Sequence, residues 1–169
     1  MTNYKSLQPN PTRILVIAMR YLGDVLLRTP LLYLLKQAYP YALLDVLVYQ
    51  NTAGMLEGNP DIHHIITTPN HPKLADCWHL LRQLFRRYDL VIANQTGDRQ
   101  FLYTLLAAPL RIAVVSPKNT SGHWKLFLYN NGQSLMATIH TVLQQLKLLD
   151  LLDVPRYFSS APPKPGNIQ

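Results

Sequence analysis

One carboxylate, Asp24, follows Gly23 in the segment MRYLGDV (residues 19–25), directly behind an apolar run. Two chemistries suit it. At the start of a helix, a carboxylate accepts bonds from free backbone N–H groups and is favoured by the helix dipole. The same group can act as a general base for a hydroxyl brought within hydrogen-bond reach. Spacing alone leaves both readings open. Arg20, Arg99, Lys118 and Lys125 also stand in segments that follow apolar runs, and His123 and Trp124 lie beside the last of them. Four cations with a single acid make a rim suited to an anionic ligand held by charge-assisted hydrogen bonds. Trp124 has the shape to stack on a sugar ring, and equally to cover a domain core.

Several other chemistries lack their residues. The segment holding Gly23 has one glycine where a dinucleotide fingerprint needs three, which disfavours a simple NAD domain. There is no P-loop, no nucleophile elbow and no RNA-binding aromatic motif, so no phosphate-cradling loop is expected and no nucleic-acid partner. His63, His64, His71, Cys77 and His79 cluster in the sequence, but their spacing matches no standard zinc pattern. They read as solvated or packing side chains, with neither metal nor other cofactor expected.

The elements that position these residues follow from hydrophobic period. Residues 13–19 (RILVIAM), 43–49 (LLDVLVY), 64–67 (HIIT), 89–93 (DLVIA) and 111–115 (RIAVV) are near-continuous apolar runs of strand length, as in strands buried on both faces. Between them lie helical patterns. Residues 73–87 carry Leu74, Cys77, Trp78, Leu81, Leu84 and Phe85 at spacings of three and four, with Arg82, Arg86 and Arg87 outside that stripe. Those arginines read as a solvated face, and a basic face can also meet anionic lipid headgroups. Residues 98–107 and 134–149 predict two more amphipathic helices. The helix after Asp24 contains Pro30, so it kinks there or restarts at Pro30 with Thr29 as cap. Strand–helix alternation predicts an α/β fold, a Rossmann-like doubly wound parallel sheet that binds ligands at the carboxyl ends of its strands. Four segments qualify for that edge: 20–24, 50–54, 94–99 and 116–125.

A chain of 169 residues is enough to bury roughly 70% of its unfolded surface without a disulfide or metal staple. With 48% hydrophobic and 15% charged residues it is too apolar and varied for a disordered chain. One cysteine, Cys77, excludes an intramolecular disulfide framework and suggests a reducing compartment. The run at 14–19 is too short for a secretory signal, and the long uncharged stretch 126–146 is too rich in Asn, Gln and His to span a bilayer. Net charge is +7, and residues 71–125 hold eight Lys or Arg against three Asp, a further indication of an anionic partner. Residues 1–12 predict an extended or disordered approach, 13–155 the domain, and 156–169 a Pro-rich linker or tail.

From 13 to 62 the sequence resembles the amino-terminal half of the bacterial lipopolysaccharide heptosyltransferases, glycosyltransferase family 9, most nearly the heptosyltransferase III type. The residues that carry the resemblance are the first strand; Arg20, Gly23 and Asp24; Thr29 and Pro30; Tyr39 and Pro40; and EGNP at 57–60. It continues more loosely through YDLVIANQTGDRQ, PLRIAVV and the helix ending in LKLLDLL, reaching about Leu152. One departure is Asp150 or Leu151, which stands where many members have glycine. The resemblance implies the amino-terminal domain of a GT-B glycosyltransferase: a metal-independent, inverting enzyme of lipopolysaccharide inner-core biosynthesis. Asp24 would be the catalytic base. Arg20, Gly23, Arg99, Lys118, Trp124 and Lys125 would hold a lipid A–inner core acceptor, and ADP-heptose would be the donor substrate. It further implies a cytoplasmic protein, peripheral at the anionic inner face of the inner membrane. On this reading the carboxyl-terminal donor domain is absent, and the isolated chain is inactive unless a separately encoded donor domain joins it. The alternative is a non-catalytic binder of anionic glycolipid or lipid headgroups.

Overall fold

The computed structural model describes residues 10–19, 21–93, 98–115 and 131–134. Among them the order is β1 (Arg13–Ile17), α1 (Leu22–Leu26), α2 (Thr29–Ala38), β2 (Leu43–Tyr49), a 3₁₀ helix (Gln50–Met55), β3 (His64–Thr68), α3 (Leu74–Leu84), β4 (Leu90–Ala93), α4 (Asp98–Ala107), β5 (Leu110–Val115) and β6 (Asn131–Ser134). Six strands form one sheet in the order β3-β2-β1-β4-β5-β6, and every pair is parallel. This is the doubly wound order of the Rossmann fold, in which the strand sequence reverses direction between β1 and β4.

The unbroken apolar runs follow from burial on both faces. Alternate residues of β1 enter opposite cores: Ile14 and Val16 pack with Val25, Leu31, Leu32 and Leu35 on one side, while Leu15 and Ile17 pack with Leu80, Leu84, Phe101 and Tyr103 on the other. Truncating a fully buried leucine such as Leu32 or Leu35 to alanine costs about 2–5 kcal/mol at such sites.

Four local expectations are corrected. The helix after Asp24 breaks into two at residues 27–28, and Thr29 is the first residue of α2, not its cap; its hydroxyl donates to the Leu26 carbonyl oxygen at 2.9 Å. Residues 50–54 form part of the 3₁₀ helix instead of an open loop. Ser134 ends β6 and so does not start a helix; residues 135–149 lie outside the described residues. On α3 only Leu80 and Leu84 are buried, and Leu74, Trp78 and Phe85 are exposed. The 156–169 tail and residues 1–9 also lie outside the described residues. Thr12, by contrast, is tied in before β1 begins, its N–H and hydroxyl both donating to Asp89 Oδ2 at 2.8 and 2.7 Å.

Candidate functional site

Reversal of strand order at β1 and β4 opens a crevice at their carboxyl ends, because the connections leave in opposite directions. A cleft of about 420 Å³ lies there, lined by Met19 beyond β1, Tyr49 at the end of β2, and Asp98, Arg99 and Gln100 in the first turn of α4. The wall is braced across the crevice. Gln100 Nε2 donates to the Met19 carbonyl oxygen at 3.2 Å, and the Thr104 hydroxyl donates to the Gln100 carbonyl oxygen at 2.7 Å. Gln100 and Thr104 are buried, whereas Asp98 and Arg99 are exposed at the mouth. The Ala18 N–H donates to Leu47 O at 2.8 Å and carries the β1–β2 pairing one residue beyond the strand, up to the lip of the cleft.

Gly23 and Asp24 are the second and third residues of α1, at the same edge. Glycine inside a helix costs roughly 0.5–1 kcal/mol relative to alanine. Nothing in the packing of the described residues demands it here, since among them a Cβ at Gly23 would meet no atom within 4 Å. Among the described residues the space above Gly23 is open. Arg99 stands at the cleft, on the α4 side. Arg20, Lys118, Trp124 and Lys125 lie outside the described residues.

The structure adds residues that sequence reading did not single out. Arg28 is only 2% exposed, and its Nη1 donates to the Ile17 carbonyl oxygen at 2.8 Å, so a guanidinium is sealed beneath the carboxyl end of β1. A signal for this existed, because Val25, Arg28, Leu32 and Leu35 share one helical stripe and the other three are core residues. Tyr49 and Gln100 had no such signal; they join the site only through the strand order.

At the opposite, amino edge the polar groups form a closed set. Asp45 in β2, nearly buried, accepts from the Tyr88 hydroxyl at 2.8 Å and pairs with His63 Nδ1 at 3.0 Å. Burial first, then the bond to Asp45 and that carboxylate's charge, push the Tyr88 phenol well above its ordinary value. The Asp89 carboxyl is held below the usual carboxylate range, chiefly by the Thr12 hydroxyl; desolvation, the next largest effect, opposes it, and the Arg13 and Thr12 N–H groups and the Arg13 charge add to the lowering. His63 thus has a structural partner, and among the described residues no three His, Cys, Asp or Glu side chains are grouped to hold a metal ion.

No family model matches the chain. It is 31% identical over 150 residues to lipopolysaccharide heptosyltransferase 3 of Escherichia coli K12, covering 83% of this chain and 42% of the relative. To another Escherichia coli lipopolysaccharide heptosyltransferase 3 it is 36% identical over 115 residues, 63% of this chain and 34% of that one. The chain thus spans less than half the length of these curated relatives. Among solved structures, a glycosyl transferase family 9 protein from Veillonella parvula superposes with a TM-score of 0.74 at 21% identity, over 86% of this chain and 42% of that one. Escherichia coli heptosyltransferase WaaC with ADP-2-deoxy-2-fluoro heptose superposes with a TM-score of 0.71 at 21% identity, over 86% and 50%. At that identity the structural likeness establishes the fold.

Proposed function

Given that this chain belongs to the lipopolysaccharide heptosyltransferases, we propose that it is the amino-terminal, acceptor-binding half of an inverting transferase that moves heptose from ADP-heptose to a hydroxyl of the lipopolysaccharide inner core. The observation that carries this reading is that Gly23 and Asp24 lie in the first turn of α1, directly after β1, on the same sheet edge as the cleft lined by Met19, Tyr49 and Arg99. On this reading Asp24 is the base for the acceptor hydroxyl. As the hydroxyl oxygen attacks the anomeric carbon, its proton passes to Asp24, the bond from that carbon to the ADP oxygen breaks, and the configuration inverts.

Charge supports the acceptor class. Inner-core carboxylates and phosphates are ligands for Arg99 at the mouth, and on the sequence resemblance Arg20, Lys118 and Lys125 would add to them and Trp124 would stack on a sugar ring. Donor binding is assigned to a second domain, because nothing in the described cleft resembles a phosphate cradle for an ADP leaving group. Stabilisation of such a leaving group is usually the largest catalytic contribution.

The test mixes purified chain, ADP-heptose and a heptose-acceptor core, and follows ADP release with and without an added family donor domain. Release only when the donor domain is present is the expected result. Turnover by the chain alone would place a donor site within these residues and overturn the half-enzyme reading.

A further inference from the structure

Helix α3 carries an apolar stripe wider than the sheet uses. At about 100° per residue, Leu80, Leu84 and Cys77 occupy one flank of the stripe, and Leu74, Trp78 and the C-cap residue Phe85 fall within about 40° of each other on the opposite flank. The first flank packs inward. The second faces out, with Leu74 90%, Trp78 69% and Phe85 55% exposed. Lys73 at the start of α3, Arg82 within it and Arg86 and Arg87 after its end are all exposed. The acids nearby are engaged by the chain's own backbone: Asp76 Oδ2 accepts from the Lys73 N–H at 2.8 Å, and Asp89 Oδ2 accepts from Thr12 and Arg13.

The end of α3 carries a second, independent anomaly. Arg86 has φ of 50°, a left-handed conformation that glycine adopts freely after a helix and that costs any residue with a Cβ some stability. Its N–H donates to Leu106 O at 2.9 Å, which ties the turn to α4 and leaves Phe85 and Arg86 both projecting to solvent. An arginine thus occupies a position where backbone energetics favour glycine, next to an exposed phenylalanine.

We propose that this outer face of α3 docks on an anionic lipid bilayer, with Trp78, Leu74 and Phe85 entering the interface and Lys73, Arg82, Arg86 and Arg87 meeting the headgroups. A tryptophan and aliphatic side chains flanked by cations are what an interfacial helix presents. Among the described residues no helix is long and apolar enough to cross a membrane, so contact through these residues is along the surface. A second copy of the chain is a poorer occupant, because a symmetric contact would bring four cations against four cations. The donor domain is poorer too, since α3 covers a sheet face and the proposed cleft opens at the carboxyl edge. The docking does not depend on sugar transfer and is tested without it.

The experiment is cosedimentation of the full 169-residue chain with vesicles of phosphatidylcholine alone or mixed with phosphatidylglycerol, at low and physiological salt. Binding to the anionic vesicles only, weakened by salt, is expected, and Trp78→Ser with Phe85→Ser should abolish it. Each of Arg82→Gln and Arg87→Gln should weaken partition about fivefold, the effect of one basic residue near an anionic surface. Arg86→Gly is the sharpest variant: it relieves the left-handed strain and removes a charge, so the thermal midpoint should rise while vesicle binding falls. Three results would overturn the proposal: no binding to anionic vesicles, binding unchanged in the Trp78/Phe85 variant, or a dimer by light scattering that this variant dissolves.

Discussion

At the amino edge of the sheet the polar side chains are spent on one another. Asp45 takes both Tyr88 and His63, and Asp89 takes three donors from Thr12 and Arg13. At the carboxyl edge the arrangement is reversed: Gln100 and Arg28 brace carbonyl groups from below, while Asp98 and Arg99 stand at an open cleft and Gly23 leaves uncrowded space. The two edges come from the same strands, so the contrast reflects a division of labour within one sheet. Charges that close on each other hold the strands in register, and Arg99, exposed at the cleft mouth, is placed to meet a ligand.

The largest effect that would sharpen this contrast is at Asp24. In a two-domain context Asp24→Asn should lower transfer by about 10² to 10⁴. The thermal midpoint should stay close to that of the parent, since Asp24 lies inside the first turn of α1, whose N-cap is Tyr21, and losing one carboxylate's interaction with the helix dipole costs about 0.3–1 kcal/mol. Turnover and melting measured on the same preparation separate the two roles, and unchanged turnover would reduce Asp24 to a helix-start residue. Tyr88→Phe should behave in the opposite way. Removing its hydroxyl leaves one oxygen of the nearly buried Asp45 without its donor, at a cost of about 1–3 kcal/mol in urea unfolding, with no change in acceptor binding. A loss of binding in that variant would break the separation of the edges.

Arg99→Gln should weaken binding of a phosphorylated core oligosaccharide several-fold by calorimetry, and the difference from wild type should shrink as salt rises, the Debye length being about 8 Å at physiological ionic strength. The smallest effect concerns pH. The folded Asp89 carboxyl lies below its unfolded value of about 3.9. Its contribution to stability is therefore present above that value and is lost as pH falls through the lower, folded one. Asp89→Asn should be less stable than wild type near neutrality, and the gap should close in acid. A gap independent of pH would mean that the carboxylate's charge is not what pins Thr12.

Much of the scaffold was legible because burial on both faces writes itself as unbroken apolar runs. Residues 43–49 and 98–107 were bounded in the sequence as they stand in β2 and α4. β6 escaped because a four-residue edge strand, NGQS, contributes backbone bonds to β5 and has no apolar run. The period of α3 showed a helix but not which half of its stripe meets the sheet, since amphipathicity reports the width of an apolar face and not its contact. Asp24, Gly23 and Arg99 were visible from residue type and from their place after a strand. Tyr49 and Gln100 were not: they reach the cleft only because β2 and β4 both flank β1, an order that no local pattern encodes. Asp45 was hidden for a related reason. A carboxylate inside a buried strand demands partners, and its partners are 18 and 43 residues away.

The most direct measurement is an amide NMR titration of the chain with a phosphorylated inner-core oligosaccharide, read residue by residue. The account predicts shifts at Met19, Gly23, Tyr49, Arg99 and Gln100, around the carboxyl-edge cleft, with Asp45, His63, Tyr88 and Asp89 at the amino edge unmoved. Shifts concentrated at the amino edge, or saturable binding with no shift around the cleft, would contradict it.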